Sequence, residues 1–223
     1  MTGSTNPDHE DPGRPHAVVA AMRALDRARF LPPDQVVHAR EDRALPLFHG
    51  QTGSQPSTVA AMLRLLEVPV GARVLDVGSG SGWSTALLAH LVGPTGRVLG
   101  LELDPDLCAF GAANLAAFHL PWARIEQADP DHLGRQVAGG WDRILVSASP
   151  RVLPAELVDQ LAVGGRMVVP VETTMTLVVR GSDGPPAVST HGEYVFVPLR
   201  TGTGSPVRPT RGRRDQGRPG GRR

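Results

Sequence analysis

Val74-Leu75-Asp76-Val77-Gly78-Ser79-Gly80-Ser81-Gly82-Trp83 decides the fold. A short, mostly apolar and β-branched run ends in three glycines spaced two apart, and a helical pattern begins at once. Glycine lets the chain turn tightly and bring its backbone close to a ligand, and a helix N-terminus favours polar or anionic atoms. Strand, glycine loop and helix in this order predict a ligand crevice at the end of a strand.

Working downstream, β-branched runs at 73–77, 97–101, 123–127, 143–146 and 166–171 are separated by helical patterns. Alternation on this scale predicts parallel strands joined by right-handed crossovers, with helices on both faces of the sheet. The fold class is therefore α/β, a doubly wound, Rossmann-like sheet. Beyond Val171 the helical pattern stops, and 175–180 and 194–199 are expected as closing strands, at least one of them antiparallel. Upstream, 16–30 reads as a helix stopped by Pro32-Pro33, and 41–53 as an aperiodic polar loop. A second helix opens at Ser54-Gln55-Pro56, its apolar face formed by Val59, Met62, Leu63 and Leu66. The expected organisation is a disordered leader at 1–15, an N-terminal helical cap with a substrate loop at 16–70, the ligand-binding α/β domain at 71–200 and a disordered Arg/Gly/Pro tail at 201–223.

Composition excludes several classes. With 40% hydrophobic residues in 223, a sizeable core is available and wholesale disorder is not expected. No run reaches the roughly 18 apolar residues of a membrane span, and the polar start lacks the layout of a signal peptide, so the chain reads as cytoplasmic with no membrane partner. A single cysteine, Cys108, allows neither an internal disulfide nor a cysteine-rich zinc site, and no metal is expected. The net charge of +1 hides an asymmetry, because the tail from Thr201 holds seven of the 23 basic residues, all arginine, and one acid. Without aromatic stacking residues that tail reads as solvated, and no nucleic-acid partner is expected.

Glu102 ends the second strand about twenty residues after the glycines, where a carboxylate can accept from both hydroxyls of a ribose. Asp129 follows the third strand at the mouth of the same crevice and reads either as an acceptor for an adenine amino group or as a turn former. Gly78, Gly80 and Gly82 follow G-x-G-x-G, a spacing that resembles S-adenosylmethionine-dependent methyltransferases, whereas dinucleotide sites usually show G-x-G-x-x-G. In the loop from Arg40 to Pro56, Ser54 reads either as a helix cap or as a hydroxyl that holds a carboxylate. His49 is open between surface and functional roles, Trp83 between ligand contact and core filling, and Cys108 reads as a core residue.

Gln51-Thr52-Gly53-Ser54-Gln55-Pro56, the Asp76 to Trp83 loop, Glu102, Asp129, residues 154–161, Gly164-Gly165-Arg166-Met167-Val168-Val169-Pro170-Val171 and Phe196-Val197-Pro198-Leu199 follow one another in order. Together they resemble the protein-L-isoaspartate O-methyltransferase family. The resemblance implies transfer of a methyl group from S-adenosyl-L-methionine to the α-carboxylate of an isoaspartyl residue in a damaged protein or peptide. The ester then closes to a succinimide, and hydrolysis returns some normal aspartyl linkage, a repair reaction. It also implies Ser54 as the active-site serine, with Thr52, Gly53, Asp76, Gly78, Ser79, Gly80, Ser81, Gly82, Glu102 and Asp129 around the donor. The segment near Val195 to Leu199 would hold the peptide by its backbone, and the protein reads as a monomer. This chain departs from the family at Phe48 (usually glycine), Gly53 (isoleucine), Val59 (histidine in some members), Pro130 (glycine) and Thr173-Thr174, where a glutamine often contacts the site. Phe48 and Gly53 would also suit methylation of an ordinary aspartate in one dedicated peptide; Pro130 and Gly53 would suit a catalytically weak peptide-binding module.

Overall fold

The computed structural model describes residues 14–200. The expected arginine tail lies outside them, as does the expected leader except for Arg14 and Pro15, which open the first helix. In chain order the elements are α1 (Arg14–Ala24), β1 (Leu45–Pro46), β2 (Thr52–Gly53), α2 (Pro56–Leu66), β3 (Arg73–Val77), α3 (Trp83–Val92), β4 (Arg97–Glu102), α4 (Pro105–Ala116), β5 (Ala123–Gln127), β6 (Trp141–Val146), α5 (Ala155–Asp159), β7 (Leu161–Val171), β8 (Thr174–Val179) and β9 (Ala187–Glu193).

Seven strands form one sheet in the order β5-β4-β3-β6-β7-β8-β9, parallel as far as β7 and closed by antiparallel β8 and β9. The order reverses at β3, which lies between β4 and β6, and this opens a crevice at the carboxyl ends of β3 and β6. Two-residue periodicity sends Val74 to one face with Val98, Leu145 and Val168, and sends Leu75 and Val77 to the other with Leu99, Ile144 and Met167. The first face is covered by α1 to α4, through residues such as Ala21, Leu63, Leu87, Leu88 and Leu115. Fully burying a leucine of this kind contributes about 1.5–3 kcal/mol. The second face is covered more thinly, by α5 and flanking residues that include Leu133, Leu153 and Leu199. The doubly wound α/β class is thus observed, with helices on both faces in unequal number. Among the described residues no helix is long and apolar enough to cross a membrane.

Three expectations are corrected. The first helix ends at Ala24, because Asp26 accepts from the Ala28 N–H and starts a 3-10 turn at Arg27–Phe30; a second such turn spans Pro33–His38. No helix joins β5 to β6. The closing strand is β9, and 194–199 is an extended segment that crosses the end of the sheet. There Ser149 N–H donates to Val197 O and Leu199 N–H to Ser149 O. Every residue of β9 is exposed, so its sequence lacks the apolar alternation of a half-buried strand.

Candidate active site

Val77 leads the backbone out of the sheet into the glycine loop, where Gly78, Gly80 and Gly82 all adopt positive φ (78°, 54° and 87°). Only glycine takes these angles without strain. At Gly82 a Cβ would also fall 2.7 Å from Gly111 O of α4, so this glycine serves the close approach of two elements. The loop N–H groups are used within the protein: Gly78 and Ser79 donate to Leu101 O, Gly82 donates to Ser79 O, and Gly80 donates to Glu102 Oε2 at 2.9 Å. The loop therefore offers shape more than free donors.

A crevice of about 410 Å³ lies over this loop, lined by Thr52, Gly78, Gly80, Glu102 and Asp129 with Leu101, Leu107, Pro130 and Leu133 among others. Glu102 is 8% exposed, and its Oε1 accepts from Leu103 N–H (2.8 Å) and Asp104 N–H (3.1 Å). Three backbone donors leave a carboxylate, with about four acceptor sites, capacity for a further hydroxyl. Asp129 is exposed at the mouth and accepts from Asp131 N–H and His132 Nδ1; the Asp131 hydrogen bond foremost holds its carboxyl below the usual range. It is a turn former and a crevice residue at once.

Asp76 lies behind the loop and borders none of these spaces. It is fully buried, with Oδ2 accepting from the hydroxyls of Ser84 and Thr85 at 2.7 Å, which fixes the start of α3, while Oδ1 has no partner. Burial pushes its pKa up from 3.8 to about 6, against the pull of those two hydroxyls. The proton is bound more tightly in the folded chain. Its stabilising contribution is full below about 3.8 and is lost as pH rises through about 6, on the order of 3 kcal/mol. Urea unfolding of wild type and Asp76→Asn across this window checks it: the difference in stability is expected to shift in favour of the variant as pH rises, and a constant difference would contradict the assignment.

The loop between residues 41 and 55 is tied down by two side chains that sequence reasoning missed. Arg27, 5% exposed, donates to four backbone carbonyls: Glu41 O (3.1 Å), Arg43 O (2.9 Å), Gly53 O (3.3 Å) and Ser54 O (2.9 Å). Its guanidinium also sits 5.7 Å from the centroid of Trp83. Asp42 accepts from Ser57 N–H at 2.8 Å and from the Gln55 amide, capping α2 from the loop. The cap position itself is Gln55, with Pro56 in the first turn, so Ser54 is not the cap. Neither role had a sequence signal, since the partners are backbone groups or lie more than ten residues away.

Freed from capping, the half-buried Ser54 borders two spaces. One, of about 50 Å³, also involves Arg27, Gly53, Ser79, Ser81 and Trp83; the other is a groove of about 660 Å³ lined by Gln55, Ser147, Thr173, Glu193, Tyr194, Val195 and Phe196 among others. Thr52 borders the crevice and both of these spaces. Trp83 is largely core, its N–H donating to Leu25 O at 3.0 Å, and Cys108 is a buried free thiol whose pKa burial pushes up.

The sequence matches the model of the Protein-L-isoaspartate(D-aspartate) O-methyltransferase family over residues 10–204. A protein-L-isoaspartate O-methyltransferase of Anaeromyxobacter dehalogenans is 45% identical over 193 residues, covering 83% of this chain and 90% of the relative. One of Aeropyrum pernix is 40% identical over 186 residues, covering 82% and 72%. A crystal structure from Plasmodium falciparum, described as a protein-L-isoaspartate O-methyltransferase in complex with S-adenosyl-L-homocysteine, superposes with a TM-score of 0.70 at 26% identity, over 86% of this chain and 91% of that one. The glycine loop, the acid at the end of β4 and the serine before α2 thus stand in a chain that belongs to the protein-L-isoaspartate(D-aspartate) O-methyltransferase family.

Proposed function

We propose that this chain transfers a methyl group from S-adenosylmethionine to the α-carboxylate of isoaspartyl residues in damaged proteins or peptides, and so acts in protein repair. The observation that carries the reading is the position of Thr52, which borders both the crevice and the groove, so that a different ligand in each can be brought to the same residue.

The crevice residues suit the donor. Glu102 has acceptor capacity for a ribose, Gly78 and Gly80 present backbone without side chains, and Leu101, Leu107 and Leu133 offer apolar contact to a base. Asp129 can accept from an adenine amino group, whereas Pro130 beside it has no N–H to give. Gly53, Ser79 and Ser81 line the smaller space behind, and Asp76 and Gly82 support the loop from below.

When bound, S-adenosylmethionine supplies a methyl group on a positively charged sulfur. A substrate carboxylate with a pKa near 4 is ionised at pH 7, so no side chain has to remove a proton. The protein's task is alignment, which can supply on the order of 7–11 kcal/mol. Ser54 donates a hydrogen bond that orients the carboxylate, and Arg27, bordering the same space, brings positive charge to it. Tyr194, Val195 and Phe196 line the groove for the peptide; Val195 is 93% exposed, ready for an apolar contact. The reading takes the chain as a monomer acting in the cytoplasm.

A hydroxyl hydrogen bond to a charged carboxylate is worth about 1.5–3 kcal/mol, so Ser54→Ala is expected to lower kcat/KM for an isoaspartyl peptide roughly tenfold to a hundredfold. Steady-state kinetics check this, and an unchanged value would remove Ser54 from the site.

A further inference from the structure

The two residues at the tip of the β1–β2 hairpin, Phe48 and His49, reach across to α4. His49 Nδ1–H donates to Asp104 Oδ2 at 2.6 Å, and Nε2 lies 3.6 Å from Asp106 Oδ2. The Phe48 and Phe110 rings meet edge to face, with centroids 5.0 Å apart. The tip is a tight turn in which Gln51 N–H donates to Phe48 O, and both His49 (φ 52°) and Gly50 (φ 75°) take left-handed backbone. Immediately after it, Gln51 and Thr52 line the crevice, as do Leu103, Asp104 and Leu107 at the start of α4. The contact therefore ties together two segments of the crevice wall.

His49, Asp104 and Asp106 also place their ligand atoms within 4.8 Å of one another, but that geometry is accounted for without an ion. The imidazole pairs with both carboxylates, and Asp104 Oδ1 is engaged in capping α4 through Asp106 N–H and Leu107 N–H. Neither Phe48 nor His49 lines the crevice, so both act through the wall they hold.

We propose that Phe48 and His49 form a clasp on α4 that holds the hairpin over the bound donor and sets how fast donor and demethylated product exchange. The clasp rests on the donor reading given above, and its residues are positioning residues.

Asp104, the N-cap of α4, and Asp106, in its first turn, are the charged groups that face the imidazole. The hydrogen bond to Asp104 foremost, and then its charge, raise the His49 pKa above the ordinary 6.5. The clasp is therefore fully charged below about 6.5 and loses its charge as pH rises through the raised value. Exchange should quicken in alkali.

The test is release of S-adenosylhomocysteine from the full chain, followed by stopped flow at about pH 6 and about pH 9. Wild type is expected to release it about two- to fivefold faster at the higher pH, the range of an exposed ion pair. His49→Ala should show the fast rate at both pH values, and His49→Gln, which keeps a hydrogen-bond donor without the charge, should be equally insensitive to pH. Phe48→Ala should release about three- to tenfold faster while keeping the pH step, as expected for loss of an aromatic pair. Equal rates and an equal pH step in wild type and His49→Ala, with tight binding by both, would overturn the clasp alone. No binding of S-adenosylhomocysteine by wild type would overturn the donor reading and the clasp with it.

Discussion

Glu102→Ala is expected to weaken binding of S-adenosylhomocysteine by about a hundredfold or more, which calorimetric titration would register as near-loss of the isotherm. A ribose hydroxyl hydrogen-bonded to the charged carboxylate accounts for up to about 3 kcal/mol. The carboxylate also receives Gly80, Leu103 and Asp104 N–H groups, so its removal loosens the floor of the crevice in addition to deleting an acceptor. Glu102→Gln keeps an acceptor oxygen and loses the charge, and should fall between the two. A dissociation constant unchanged in Glu102→Ala would remove this residue from the donor site and with it the assignment of the crevice.

The second large effect is expected at Arg27. Its guanidinium satisfies four carbonyls, two from each end of the 41–54 loop, in a place where water has little access. A buried acceptor left without a donor costs about 1–3 kcal/mol, and partial rehydration offsets some of the four. Arg27→Ala should therefore destabilise the fold by on the order of 3 kcal/mol, seen as a thermal midpoint lower by roughly 6–12 °C. It should also lower kcat/KM more than Ser54→Ala does, since both the charge and the placement of Ser54 are lost together. Arg27→Lys keeps the charge but not the planar fork, and should recover stability only in part. Full stability and activity in Arg27→Ala would show that the loop is held by Asp42 and the β1–β2 pairing without it.

The centre of the fold was legible in the sequence because it is built from local rules. β3 and β5 begin and end where the sequence places them, β3 being cut off by glycines that take positive φ. The places of Glu102 and Asp129 at the crevice were legible for the same reason: Glu102 ends a readable strand and Asp129 follows one. What was not legible depends on partners far along the chain. β9 pairs with β8 and every residue of it is exposed, so no apolar pattern marks it, whereas 194–199 looks like a strand by composition but is tied by a single bridge to Ser149 and by Tyr194 N–H donating to Thr173 O. Arg27 is one arginine among many until the four carbonyls converge on it. Phe48 stood out as a departure from the family's glycine, yet its meaning needed Phe110, more than sixty residues away, just as His49 needed Asp104. The serine could not be separated from a cap until Asp42 was seen to do the capping.

Transfer of labelled methyl from S-adenosylmethionine to a short isoaspartyl peptide, with its normal aspartyl twin as control, tests the central claim most directly. Membership of the family, together with the crevice and groove that Thr52 borders, predicts base-labile label on the isoaspartyl peptide alone. Label on neither peptide, or equal label on both, would contradict it.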